Sequence, residues 1–176
     1  MGMKRDLGLW QFGGFVTATL GGTILHFLYG WTGESVAVAP FAAVNESTWE
    51  HTKLLVLPML LFALFQYRAF REDGRFWCIK LRGTLVGLTL IPVLFYTISG
   101  AFGVTPGWVN IALFFVAAAI AYLIEYRLFQ RRSVRCRHPK LALAALVAIV
   151  LPFAVFTFLP PRLPLFLDPV TGTYGI

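Results

Sequence analysis

Five stretches of the chain are apolar for long enough to cross a bilayer, and short polar connections separate them. They cover residues 7–31, 49–70, 85–104, 106–124 and 141–159. A helix needs about 17–20 residues to cross ~30 Å of hydrocarbon, and each stretch reaches that length. Only 13% of residues are charged, against ~25% in an ordinary soluble domain. The expectation is an all-α membrane protein: one integral membrane domain over residues 1–176 with five transmembrane helices, and no room for a second domain.

The second stretch is the tightest constraint. Its uninterrupted apolar run, residues 54–65, is only 12 residues long. To span, it must recruit the turn that carries Glu50, His51 and Lys53 at one end and residues 66–70 at the other. The polar run Asn45-Glu46-Ser47-Thr48-Trp49-Glu50-His51-Thr52-Lys53 is thereby forced to the membrane interface or slightly inside it. Polar groups at that depth are costly, which points to a function.

Lysine and arginine set the orientation. Thirteen of the 15 basic residues lie at the N-terminus, in the second–third connection or in the fourth–fifth connection, leaving Lys53 and Arg162 on the other side. The positive-inside rule then puts the N-terminus in and the C-terminus out. The net charge of +7 is spread over these short loops. Membrane lipids are therefore the expected partners and nucleic acid is excluded, while self-association into a homo-oligomer is left open. Cys78 and Cys136 both fall on the inner side and are expected as reduced thiols. Ala37-Val38-Ala39 has the pattern of a signal-peptidase site, but the apolar region before it is about 25 residues, too long for a signal core of 7–15. The first segment is expected to be a retained helix.

The helices suggest a duplicated hairpin, the second–third pair repeated as the fourth–fifth. Tyr67-Arg68-Ala69-Phe70 and Tyr126-Arg127-Leu128-Phe129 lie 59 residues apart, as do Trp49 and Trp108, and Pro92 and Pro152 lie 60 apart. Such a repeat would be parallel, about an axis along the membrane normal. The polar run departs from it, since His51 aligns with Asn110. The first helix carries Gly13, Gly14, Thr17, Ala18, Gly21 and Gly22, a small-residue stripe suited to close helix approach. His26 follows Gly22 by four residues and should face protein at the level of the polar run. The proline-rich tail, residues 160–176, cannot be a helix and should lie over the outer mouth, carrying Asp168 and Tyr174 toward the polar run.

Part of the polar run has an ordinary explanation. Ser47-Thr48-Trp49-Glu50 is a capping box, in which Glu50 would reach back to the Ser47 amide, and Trp49 would anchor the helix at the interface. Asn45, Glu46 and His51 are left over. His26, Glu46, Glu50, His51 and Asp168 could converge near the outer surface, with Asn45, Lys53 and Tyr174 as further binding groups. Imidazoles with carboxylates suit a divalent metal, for which the candidate ligands are His26, Glu46, Glu50 and His51. Glu46, Glu50 and His51 are the candidates for catalysis on metal-activated water. No tight ligand spacing accompanies them. Three readings stay open: a structural or gating network, a metal-dependent membrane hydrolase, and a small-solute or ion transporter. Glu125, beside Arg127, is expected to pair with a loop arginine.

The run Val44-Asn45-Glu46-Ser47-Thr48-Trp49-Glu50-His51 and the ending Asp168-Pro169-Val170-Thr171-Gly172-Thr173-Tyr174-Gly175 resemble motifs of an uncharacterised family of small bacterial multi-pass membrane proteins. The resemblance covers nearly the whole chain. It implies a bacterial inner-membrane protein and brings no activity with it.

Overall fold

The computed structural model describes residues 3–103 and 106–176, with side chains from residue 6 onward. Five α-helices form the body: α1 (Met3–Trp31), α2 (Thr48–Phe70), α3 (Phe76–Phe102), α4 (Gly107–Gln130) and α5 (Pro139–Phe158). All five are long and apolar enough to cross a membrane. The expected end of the third helix at Val104 lies outside the described residues. Two other boundaries are corrected: α3 begins at Phe76 instead of residue 85, and α4 runs on to Gln130 instead of 124. Charged residues marked the expected limits, but Lys80 and Glu125 lie inside the helices, buried against each other at 2.6 Å. This also overturns the pairing of Glu125 with a loop arginine. Its partner is a lysine on the neighbouring helix, which shields both charges from lipid.

The second helix is the central one. Half of its spanning stretch (50%) is buried inside the protein, against 11–22% for the other four. That explains its short apolar run, because a helix surrounded by other helices need not present an unbroken apolar surface to lipid. Helix α1 lies against α2 and α4, and α3 against α2, α4 and α5. Apart from the exposed Thr17, the small-residue stripe of α1 faces these neighbours. A Cβ on Gly22 would come within 2.8 Å of the Leu54 carbonyl oxygen, and one on Gly21 within 3.0 Å of Pro58, so helix α1 could not approach α2 as closely with larger residues there. The middle of the bundle is apolar, with Ala18, Leu55, Met59, Ile91, Ala117 and Ala121 packed together.

One end of the bundle, the basic end, carries the α2–α3 and α4–α5 connections. There Cys78 and Cys136 form a disulfide, with Cα atoms 5.8 Å apart, instead of the expected free thiols. The expectation rested on the redox state of a compartment, which says nothing about which thiols the fold makes neighbours. The other end, the site end, carries the α1–α2 connection and the tail. That connection dips alongside α1 until the Ala43 amide donates to the Leu25 carbonyl (3.2 Å). The tail folds over the same end through a 3₁₀ turn (Pro164–Phe166) and an isolated bridge between Leu167 and Tyr174. Trp49 packs on Phe153, Phe156 and Phe166, between α5 and the tail.

Candidate metal centre

The start of α2 fixes the site. Ser47 is the N-cap, in extended conformation, and its side chain accepts from the Glu50 amide (3.3 Å). The reciprocal half of the expected capping box is absent. The Ser47 amide donates to Asn45 Oδ1 (2.9 Å), an Asx turn, while Glu50 turns inward. The Asn45 side-chain amide donates to the Gly175 carbonyl (3.0 Å), tying the tail to the loop. Asn45 is thus a structural clasp.

Glu50 and Lys53 form a buried ion pair at 2.7 Å. Lys53 also donates to the Ala39 carbonyl (3.0 Å) and to the Thr157 hydroxyl (2.9 Å), and Glu50 accepts from the Val44 amide (3.1 Å). These bonds hold the re-entrant loop, α2 and α5 together. Glu50 is therefore not among the groups that meet the histidines. It is adjacent to His51 in sequence but about 100° away around the helix. The role of Thr157 is not legible from its position in an apolar helix.

Three of the five expected groups do come together. His26 Nε2 lies 3.6 Å from Glu46 Oε1, and His51 Nε2 lies 3.6 Å from Glu46 Oε2. One donor atom from each of the three residues lies within 4.8 Å of the others. The dipping loop accounts for this. Its bond to Leu25 brings Glu46 down beside His26, while the first turn of α2 presents His51 from the other side. His51 Nδ1 lies 2.9 Å from the Ser47 carbonyl. A carbonyl can only accept, so Nδ1 carries a proton, which leaves Nε2 facing Glu46 as the nitrogen whose lone pair a metal would take from the neutral ring.

The spacing is informative. Separations of 3.6 Å exceed good hydrogen-bond lengths of about 2.7–3.2 Å. A tetrahedral metal with bonds of ~2.1 Å spaces its ligands ~3.4 Å apart. The two imidazole–carboxylate gaps are thus long for hydrogen bonds and near the spacing of metal ligands, with all three donor atoms within 4.8 Å of one another. The His26 imidazole is the largest influence on the Glu46 carboxyl. Together with His51 it outweighs burial and the nearby Asp168, and holds Glu46 below its ordinary value. The anionic form that a metal requires is therefore favoured.

Asp168 stands one layer behind. Its carboxylate accepts from the Val170 amide (2.8 Å) and the Thr171 amide (3.4 Å). Burial, the largest single influence, pushes this carboxyl up, but the bonds from Val170, Thr171 and the Glu46 backbone outweigh it and leave the group below its ordinary value. Asp168 thus steadies the Glu46 segment. Tyr174 contributes through its backbone pairing with Leu167.

Two cavities flank the cluster. A cleft of about 280 Å³ runs between α1 and α4, lined by Thr23, His26, Glu46, His51, Asn110 and apolar side chains. Its rim includes Phe27, Ile111 and Phe115, which are exposed on the outside of membrane-length helices. A second cavity of about 30 Å³, bounded by Glu46, Thr48, His51 and Asn110, has room for about one water molecule. No curated protein and no solved structure matches the chain. A model described as a family of unknown function (DUF6512) matches residues 3–176, and the chain belongs to that family.

Proposed function

We propose that His26, Glu46 and His51 bind a divalent transition metal at the outer face of the membrane, and that the protein acts as a metal-dependent centre on membrane-borne substrates. The observation that carries this is the pair of 3.6 Å gaps joining two imidazole nitrogens to the two oxygens of one carboxylate. Three protein ligands leave a fourth position open, as in catalytic rather than structural zinc sites. That position borders the 280 Å³ cleft, which is polar at the cluster and apolar toward the lipid-facing rim. An amphiphile with its headgroup at the metal matches such a cleft. A metal there would polarise a headgroup oxygen or activate water for hydrolysis.

The apolar middle of the bundle speaks against a transport path, because side chains that are apolar apart from the Tyr122 hydroxyl separate the two ends. The orientation, N-terminus in and C-terminus out of a bacterial inner membrane, is part of the same proposal; it rests on 13 of the 15 basic residues gathering at one end, and it requires the Cys78–Cys136 disulfide at that end to persist against a reducing cytosol. So are the duplicated α2–α3 and α4–α5 hairpin and the lipid partners.

Elemental analysis tests the site. Protein purified in detergent, exposed to zinc, manganese or iron(II) and desalted should retain one metal per chain, and His26→Ala, His51→Ala and Glu46→Gln should each lose it. Wild type that retains none of the three metals removes the metal centre.

A further inference from the structure

Six of the seven buried side-chain nitrogen and oxygen atoms without a hydrogen-bond partner, among the described residues, belong to Gln11, Gln66, Tyr122 and Glu125. They lie far from the metal cluster, toward the basic end. Four helices build this layer in one register. Gln11 follows Leu7 by four residues, Lys80 follows Phe76 by four, and Gln66 and Glu125 precede Phe70 and Phe129 by four. Residues four apart share a helix face. Leu7, Phe70, Phe76 and Phe129 belong to one apolar cluster, with the three phenylalanine rings 5.4–6.2 Å apart. Gln11, Gln66, Lys80 and Glu125 therefore stand one turn above a common apolar floor. Tyr122 closes the layer from above, its ring 5.5 Å from Lys80 Nζ.

Burial here is complete enough to matter: Gln66 and Glu125 are 0% exposed and Gln11 is 5% exposed. An unsatisfied buried polar group is costly, so a set of six in one layer calls for a guest that both donates and accepts. The fixed charges, Lys80 and Glu125, cancel within their own pair. A charged guest would be left uncompensated, whereas a neutral one would not. Gly83 lets the Glu125 carboxylate lie directly against the α3 backbone, since a Cβ there would collide with it. The hairpin offset of 59 residues relates Gln66 to Glu125, so both proposed copies place a polar group at this level. Beneath the floor, a cleft of about 310 Å³ at the basic end is lined by Leu7, Phe70, Asp73, Arg75, Phe129 and Arg132. Three of the floor side chains thus separate the layer from that cleft.

We propose that this layer is an internal binding site for water, a cluster of neutral hydrogen-bonding guests admitted from the basic end past Leu7, Phe70 and Phe129. It goes beyond the metal centre and does not depend on it. The chain has three glutamines, Gln11, Gln66 and Gln130, so nitrogen-15 glutamine labelling in bilayers yields a small set of side-chain amide signals. Cross-peaks between water and the Gln11 and Gln66 amides are expected, with exposed Gln130 as the control. Gln66→Leu and Gln11→Leu should each lower Tm, because they break a hydrated network. A dry layer gives the opposite result: no water cross-peaks at Gln11 and Gln66, and a higher Tm in the leucine variants, which delete orphaned atoms. Phe70→Ala should speed deuterium exchange at both buried amides and leave Gln130 unchanged. Unaltered exchange at Gln11 and Gln66 overturns the route through the floor.

Discussion

Replacing Lys53 with methionine separates the framework of the site from its chemistry. Lys53 is 0% exposed, and among the described residues its anionic partner is Glu50, 2.7 Å away and 2% exposed. Methionine preserves most of the stem volume but strands the Glu50 carboxylate in the interior. Removing one member of a buried pair costs about 3–5 kcal/mol, mainly because the remaining charge has no compensation. The hydrogen bonds from Lys53 to Ala39 and Thr157 are lost as well, which leaves the upper part of that range as the better figure. For a chain of this size 1 kcal/mol moves Tm by roughly 2–4 °C, so a loss of about 4–5 kcal/mol gives an expected drop of roughly 8–20 °C. Thermal unfolding in a fixed detergent, followed by circular dichroism, measures it. The double variant Glu50→Gln, Lys53→Met should recover a large part of the loss, since no charge is then buried. Both proteins, where folded, should retain metal at wild-type stoichiometry. A Lys53→Met protein of unchanged Tm, or a double variant less stable than the single one, refutes the framework role.

Two further outcomes follow from the same geometry. Metal affinity should fall as pH drops through the imidazole range near 6.5, because protons compete for His26 and His51 while Glu46, held below its ordinary value, stays ionised. Zinc titrations between pH 5 and 8 measure this, and an affinity independent of pH contradicts imidazole ligation. In intact cells a membrane-impermeant maleimide should label a cysteine introduced at Val170 and, after reduction, leave Cys78 and Cys136 unlabelled. Labelling of the native cysteines from outside inverts the proposed orientation.

Much of the architecture is legible because it rests on strong, additive signals. Five apolar stretches, the glycine stripe of α1 and the level of His26 all follow from periodicity and length. The parts that were not legible depend on contacts between distant segments. Lys80 looks like a loop cation until α3 is seen to start at Phe76 and to face Glu125 of α4. Glu50 belongs with the histidines by sequence distance but not by helical angle, and its pairing with Lys53 is a local i, i+3 relation that competes with any role as a metal ligand. The place of Glu46 beside His26 hangs on one backbone bond, Ala43 to Leu25, in a loop with no periodicity to read. The disulfide joins residues 58 apart, a proximity created only when the two basic connections meet.

X-ray absorption at the zinc edge, on zinc-loaded protein in bilayers, tests the central claim most directly. The geometry of His26, Glu46 and His51 predicts a four-coordinate shell with two imidazole nitrogens and oxygen ligands at about 2.0–2.2 Å. The outer-shell scattering of the imidazoles should fall by half in His26→Ala if any metal is retained. A shell of oxygens without imidazole scattering, or a spectrum unchanged by His26→Ala and His51→Ala, contradicts a metal centre at this site.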